Sequence, residues 1–152
     1  MSFLSAVRPR AAAALAPCTD LALTGASLET RAEADPLSTK ASLETAAALY
    51  GGKRDSVNPD MSPLYRTLGN LPPVRFHVGE DDVLLDDTVR YAERMAAAGG
   101  VIEAHVWEGM IHVFPSNVAT LLSAPEAVAD IGQFPASHPA FVAHLALKGL
   151  YR

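Results

Sequence analysis

Asp82 and His112 are the two residues in this sequence whose types and placement best suit acid–base chemistry. A buried carboxylate can fix the tautomer of an imidazole and stabilise its charged form. The imidazole can then take a proton from a nucleophile and return it to a leaving group. Such chemistry asks for three groups, and the residue pattern supplies two. Asp81 stands beside Asp82 and competes for the place of the acid, whereas Asp86 reads as a helix cap and turn organiser. Glu80, Asp81, Asp82, Asp86 and Asp87 form an acidic cluster, but without the Asp-x-Asp-x-Asp-Gly spacing of a calcium loop. No metal is therefore expected there. His77 and His105 fall inside apolar runs and read as packing or sheet-face residues, and His138 and His144 receive no role.

The elements needed to bring Asp82 and His112 together are legible around them. Val74, Phe76 and Val78 alternate with Arg75 and His77, which predicts a strand over residues 74–78. A helix is expected over residues 87–98, capped by Asp86 or Asp87, burying Val89, Ala92, Met95 and Ala96 and closed by Gly99-Gly100. A second strand follows over residues 102–107, with Trp107 in the core. Strand, helix, strand implies parallel strands joined by a right-handed crossover, with functional groups gathered at the strand C-termini. Asp82 follows one strand end and His112 the next, so both are expected on one rim, with the carboxylate about 2.6–3.2 Å from the imidazole.

Upstream, residues 11–16 form a short apolar run that could be a buried strand or a piece of helix. Residues 18–29 read as loop, with Cys18 as a small buried residue. Ser38 or Thr39 can cap a helix to Tyr50 that buries Leu43, Ala46, Ala47 and Tyr50 and stops at Gly51-Gly52. Ser123-Ala-Pro-Glu126 has the pattern of a capping box opening a last helix, with Val128 and Ile131 facing inward.

Composition narrows the function classes. At 152 residues, one domain with a core is expected, and 49% hydrophobic against 19% charged residues excludes a compositionally disordered chain. A net charge of -5 without a basic run argues against nucleic-acid binding. The single cysteine rules out an intramolecular disulfide and any metal site built on cysteine pairs, and fits a reducing cytoplasm. The six apolar residues 11–16 are too few for a signal peptide or a membrane span, so a soluble cytoplasmic protein is expected.

Several motifs carry a resemblance beyond these physical signals. Leu71-Pro-Pro-Val-Arg-Phe-His-Val-Gly79, Asp82-Val-Leu-Leu-Asp86 and Val106-Trp-Glu-Gly-Met-Ile-His112-Val-Phe114 resemble the bacterial hormone-sensitive-lipase-like carboxylesterases. So do Pro17-Cys-Thr-Asp-Leu-Ala-Leu-Thr-Gly-Ala-Ser27, Glu29-Thr-Arg-Ala-Glu-Ala-Asp-Pro36 and Ser62-Pro-Leu-Tyr65. The resemblance implies a partial α/β-hydrolase fold of about three mostly parallel strands with flanking helices. In it, Asp82 opens the Asp-x-Leu-x-Asp pattern as the acid, and His112 opens His-x-Phe as the base. It implies cleavage of small acyl esters through an acyl-enzyme, with no cofactor.

The family also needs a Gly-x-Ser-x-Gly elbow and a His-Gly-Gly loop. Neither occurs here, and Gly25-Ala-Ser27-Leu-Glu29 lacks the second glycine. Residues 1–134 are accordingly expected to be the C-terminal portion of a hydrolase domain, and residues 135–152 a divergent tail. The isolated chain is expected to be inactive or nearly so. The alternative is a non-catalytic remnant acting as an oligomeric or partner-binding module. The strand expected near residues 12–16 would expose an unpaired edge, which points to a homo-oligomer.

Overall fold

The structure is a computed structural model that describes residues 9–136. Its sheet has three strands in the order β1 (Ala12–Leu15), β2 (Val74–Gly79) and β3 (Ile102–Trp107), all parallel. The apolar run 11–16 therefore contains a strand, over residues 12–15, rather than a helix. Ala12 stands opposite Val74, and Val74 opposite Ile102. The helices are α1 (Ser27–Thr30), α2 (Lys40–Gly51), α3 (Leu85–Ala97) and α4 (Ser123–Ala136).

Helices cover both faces of β2, and the strand alternation decides what each face offers. Val74 and Phe76 pack with Leu64, Leu68, Tyr91 and Met95 into the main core, under α3. Each such side chain contributes about 1.5–3 kcal/mol on burial. Arg75 and His77 point to the opposite face, which α4 covers. Its Asp130 accepts from Arg75 at 2.9 Å, and the Arg75 guanidinium lies 4.4 Å from the centre of the Phe134 ring.

Several expectations about helix ends and faces need correction. α3 starts at Leu85 with Leu84 in the cap position and no side-chain cap, so neither Asp86 nor Asp87 caps it. Both acids are recruited instead by distant backbone N–H groups, described below. The buried residues of α3 are Asp87, Thr88, Tyr91 and Met95; of the expected face Met95 is buried, while Val89 and Ala92 are half-buried and Ala96 is exposed. The stretch 18–29 is not all loop, since α1 opens at Ser27.

In α2, Thr39 caps as expected and makes a reciprocal box with Ser42. Only Leu43, Ala47 and Gly51 turn inward, however, while Ala46 and Tyr50 are exposed. In α4, Ala124, Ala127 and Phe134 are buried and Val128 faces outward. Ala124 and Ala127 pack against Phe114. α4 runs two residues past position 134, and the rest of the expected tail, with His138 and His144, lies outside the described residues.

Candidate active site

The site grows from the C-terminal end of β2. Gly79 ends the strand against the backbone of Met110, where a Cβ would collide with the Met110 carbonyl oxygen. That close approach lets the two loops lace together. The Glu80 N–H donates to the Trp107 carbonyl at 2.9 Å, and the Asp81 N–H to the Met110 carbonyl at 3.0 Å. The acid turn and the histidine loop are thus one hydrogen-bonded unit.

Within that unit the structure brings Asp82 and His112 together. Asp82 has no exposed surface, and both its carboxylate oxygens lie 3.2 Å from His112 Nδ1. Oδ1 also accepts from the Leu84 N–H at 2.8 Å, which holds the carboxylate in place. A carboxylate facing Nδ1 selects the Nδ1–H tautomer and leaves the Nε2 lone pair free to accept a proton. Burial, the largest influence on His112, pulls its pKa down. The hydrogen bond and charge of Asp82, with the charge of Asp35, outweigh that, so the imidazole ends above its ordinary value. Asp81, the competing acid, uses its N–H on Met110 and makes no bond to His112 among the described residues.

Two features hold His112 from its other side. Phe114 is buried against Ala124 and Ala127 of α4 and anchors the loop. Between them Val113 adopts φ 46° and ψ 35°, a left-handed conformation that a β-branched residue rarely takes. Such strain persists only where the surroundings over-determine the backbone. Here the Phe114 anchor and the Asp82 contact do so.

The acid turn is fastened to the segment before α2 by residues with no obvious spacing signal in the sequence. Ser27 is buried; its hydroxyl donates to the Val83 carbonyl at 2.7 Å and accepts from the Asp86 N–H at 3.0 Å. Asp86 in turn accepts from the Ser27 N–H at 3.1 Å. Ser27 is thereby a structural hydroxyl. Asp87 accepts from the N–H groups of Thr19 at 2.6 Å and Asp20 at 2.9 Å. Asp35 accepts from the Val83 N–H at 3.2 Å. Cys18 is half-buried, and burial with the charge of Asp87 pushes its thiol up to about 11, which leaves it protonated and unreactive near neutrality.

His77 and His105 meet a different partner, Asp130 on α4. The Trp107 indole N–H donates to His77 Nδ1 at 3.0 Å, so Nε2 carries the ring proton 3.1 Å from Asp130. Burial, with the neighbouring His105 and Arg75, pushes His77 down to about 4 despite Asp130, so it is neutral near pH 7. Two trios place potential ligand atoms within 4.8 Å of one another: His77, His105 and Asp130, and Asp35, Asp82 and His112. In the first, Arg75 already pairs with Asp130 and the His77 Nε2 position is protonated. In the second, Asp82 is engaged with His112. No metal is assigned to either.

Comparison with known proteins places this geometry in a class. Residues 3–116 match the model of a family described as alpha/beta hydrolase fold, and the chain belongs to that family. Within it the likeness is to the esterases of the hormone-sensitive-lipase type. The chain is 32% identical over 126 residues to an esterase of Acinetobacter venetianus, covering 81% of this chain and 41% of the relative. It is 32% identical over 126 residues to an acetyl-hydrolase of Streptomyces hygroscopicus, covering 83% and 42%. A hormone-sensitive lipase from a metagenome library superimposes with TM-score 0.84 at 33% identity, over 86% of this chain and 45% of that one. An esterase from the bacterial hormone-sensitive lipase family does so with TM-score 0.83 at 37% identity, over 86% and 44%. The chain thus spans less than half the length of these relatives. No described helix is long and apolar enough to cross a membrane.

Proposed function

We propose that this chain carries the acid and the general base of a carboxylic-ester hydrolase acting on small acyl esters. The observation that supports it is the buried Asp82 carboxylate 3.2 Å from His112 Nδ1. Asp82 holds the imidazole with Nε2 as acceptor. Nε2 removes the proton of a serine hydroxyl as the serine oxygen attacks the acyl carbon, and the imidazolium returns that proton to the departing alcohol. Water, deprotonated the same way, then releases the acid. No cofactor enters these steps. The serine and the oxyanion donors must come from sequence other than these 152 residues, which contain neither Gly-x-Ser-x-Gly nor His-Gly-Gly. In this reading residues 1–134 form the C-terminal portion of the hydrolase domain, residues 135–152 a tail of divergent sequence, and the protein works in the cytoplasm.

The missing nucleophile also supports a second reading, a non-catalytic module that assembles through its open strand edge. Ester hydrolysis separates the two. The purified chain is expected to leave p-nitrophenyl acetate at background. Fused to the portion of an esterase relative that carries both motifs, it is expected to cleave the ester, and His112→Ala to lower kcat by about a millionfold. A fusion whose activity is unchanged by His112→Ala would remove the hydrolase reading.

A further inference from the structure

We propose that Asp35 is a positioning residue for His112, a second buried carboxylate that pins the acid turn and adds its charge to that of Asp82 beside the imidazole. The catalytic meaning of this role rests on the hydrolase reading above; the placement itself does not.

Asp35 is only 3% exposed, and it precedes Pro36 where the chain turns towards α2. A carboxylate so buried must be matched by donors or by opposite charge. Three backbone N–H groups provide part of that. Oδ1 accepts from Leu37 at 2.9 Å and Ser38 at 3.2 Å, and Oδ2 accepts from Val83 at 3.2 Å. The first two bonds are local and set the turn into α2. The third reaches 48 residues along the sequence to the peptide that follows Asp82. Asp35 therefore fixes the backbone on which the acid is mounted.

The second part of the role is electrostatic. Asp35 and Asp82 each place a carboxylate oxygen within 4.8 Å of the other and of a His112 nitrogen. Two carboxylates this close repel each other in a buried setting, and a positive charge beside both relieves that repulsion. Protonation of His112 supplies it. No hydrogen bond joins Asp35 to His112, so Asp35 acts through charge and through Val83. Asp82 and Asp35 are the ionisable groups that raise His112 towards its charged form. In the proposed reaction His112 becomes an imidazolium at each proton transfer, so a second anion stabilises the state that forms.

The test is a nuclear magnetic resonance titration of the chain with isotopically labelled histidine and aspartate, with the His112 signal assigned through His112→Gln. The His112 midpoint is expected to fall in Asp35→Asn and to fall further in Asp82→Asn. An unchanged midpoint in a folded Asp35→Asn chain overturns the proposal. Because that variant replaces one accepting oxygen with a donor and could fail to fold, a second measurement uses the unsubstituted chain. Its Asp35 carboxyl carbon is expected to show an inflection at the His112 midpoint, absent from His112→Gln. A carboxyl signal without that inflection also overturns the proposal. An inactive esterase fusion with the coupling intact would instead discard the hydrolase reading and leave the Asp35 placement standing.

Discussion

Asp87 is held in the fold as a carboxyl group that resists ionisation. Burial raises its pKa from 3.8 to about 6; the Thr19 and Asp20 N–H groups oppose this, the Asp20 charge adds to it, and Arg90 opposes it. The folded form thus binds the proton more tightly than the unfolded chain. The stability from this group is fully present below about pH 3.8 and is lost as pH rises through about 6. The loss is about 3 kcal/mol. His77 works in the opposite sense. Its folded pKa is lowered from 6.5 to about 4, so its contribution is present above 6.5 and disappears as pH falls. Asp87→Asn separates the two. Relative to the unsubstituted chain, the variant is expected to gain stability at pH 7 compared with pH 4, read from urea unfolding at both. An equal offset at the two pH values would show that Asp87 titrates normally in the fold.

At the scale of elements, the critical contact is the one between the end of β2 and the histidine loop. A Cβ on Gly79 would collide with the Met110 carbonyl oxygen and stand 2.9 Å from the Ile111 nitrogen. Backbone has no rotamer with which to escape. Gly79→Ala is expected to destabilise the chain by about 3 kcal/mol and to separate His112 from Asp82. Denaturant midpoints give the first effect, and a lowered His112 titration midpoint gives the second. Gly132 is the contrasting case. It lies inside α4 with open space around it, so Gly132→Ala is expected to stabilise the chain by about 0.5–1 kcal/mol. A Gly79→Ala chain as stable as the original would mean that the two loops are not packed as described.

At the scale of the molecule, β1 pairs with β2 alone among the described residues. Its four residues are half-buried, and among the described residues no strand covers its outer edge. Open N–H and C=O groups on an apolar strand are a template for another chain. Leu49 at 82%, Tyr50 at 63% and Leu122 at 98% exposure add apolar surface elsewhere. A homodimer or larger assembly is therefore expected at micromolar concentration, measurable by sedimentation velocity. Lys introduced at Ala13 or Ala14 is expected to weaken an edge-paired assembly. A well-folded monomer over the same range would rule out that edge as an interface.

The local pattern of the sequence determined the parts that depend on neighbours along the chain. The alternation at 74–78, the helix stop at Gly51-Gly52 and the capping Thr39 are short-range effects, and each stands in the structure. The strand–helix–strand order put Asp82 and His112 on one rim, because parallel strands end on the same side. Their approach to 3.2 Å follows from that topology plus the tight backbone contact at Gly79. Tertiary structure decided the rest. Asp86 and Asp87 look like caps locally, but the N–H groups of Ser27, Thr19 and Asp20 draw their side chains away from their own helix. Whether Arg75 and His77 faced water depended on where α4 would lie, and its Asp130 meets both of them. Asp35 reads locally as the residue of a turn, and its tie to the acid turn had no local signature, because that tie depends on a backbone N–H 48 residues away and on an imidazole that only folding places nearby.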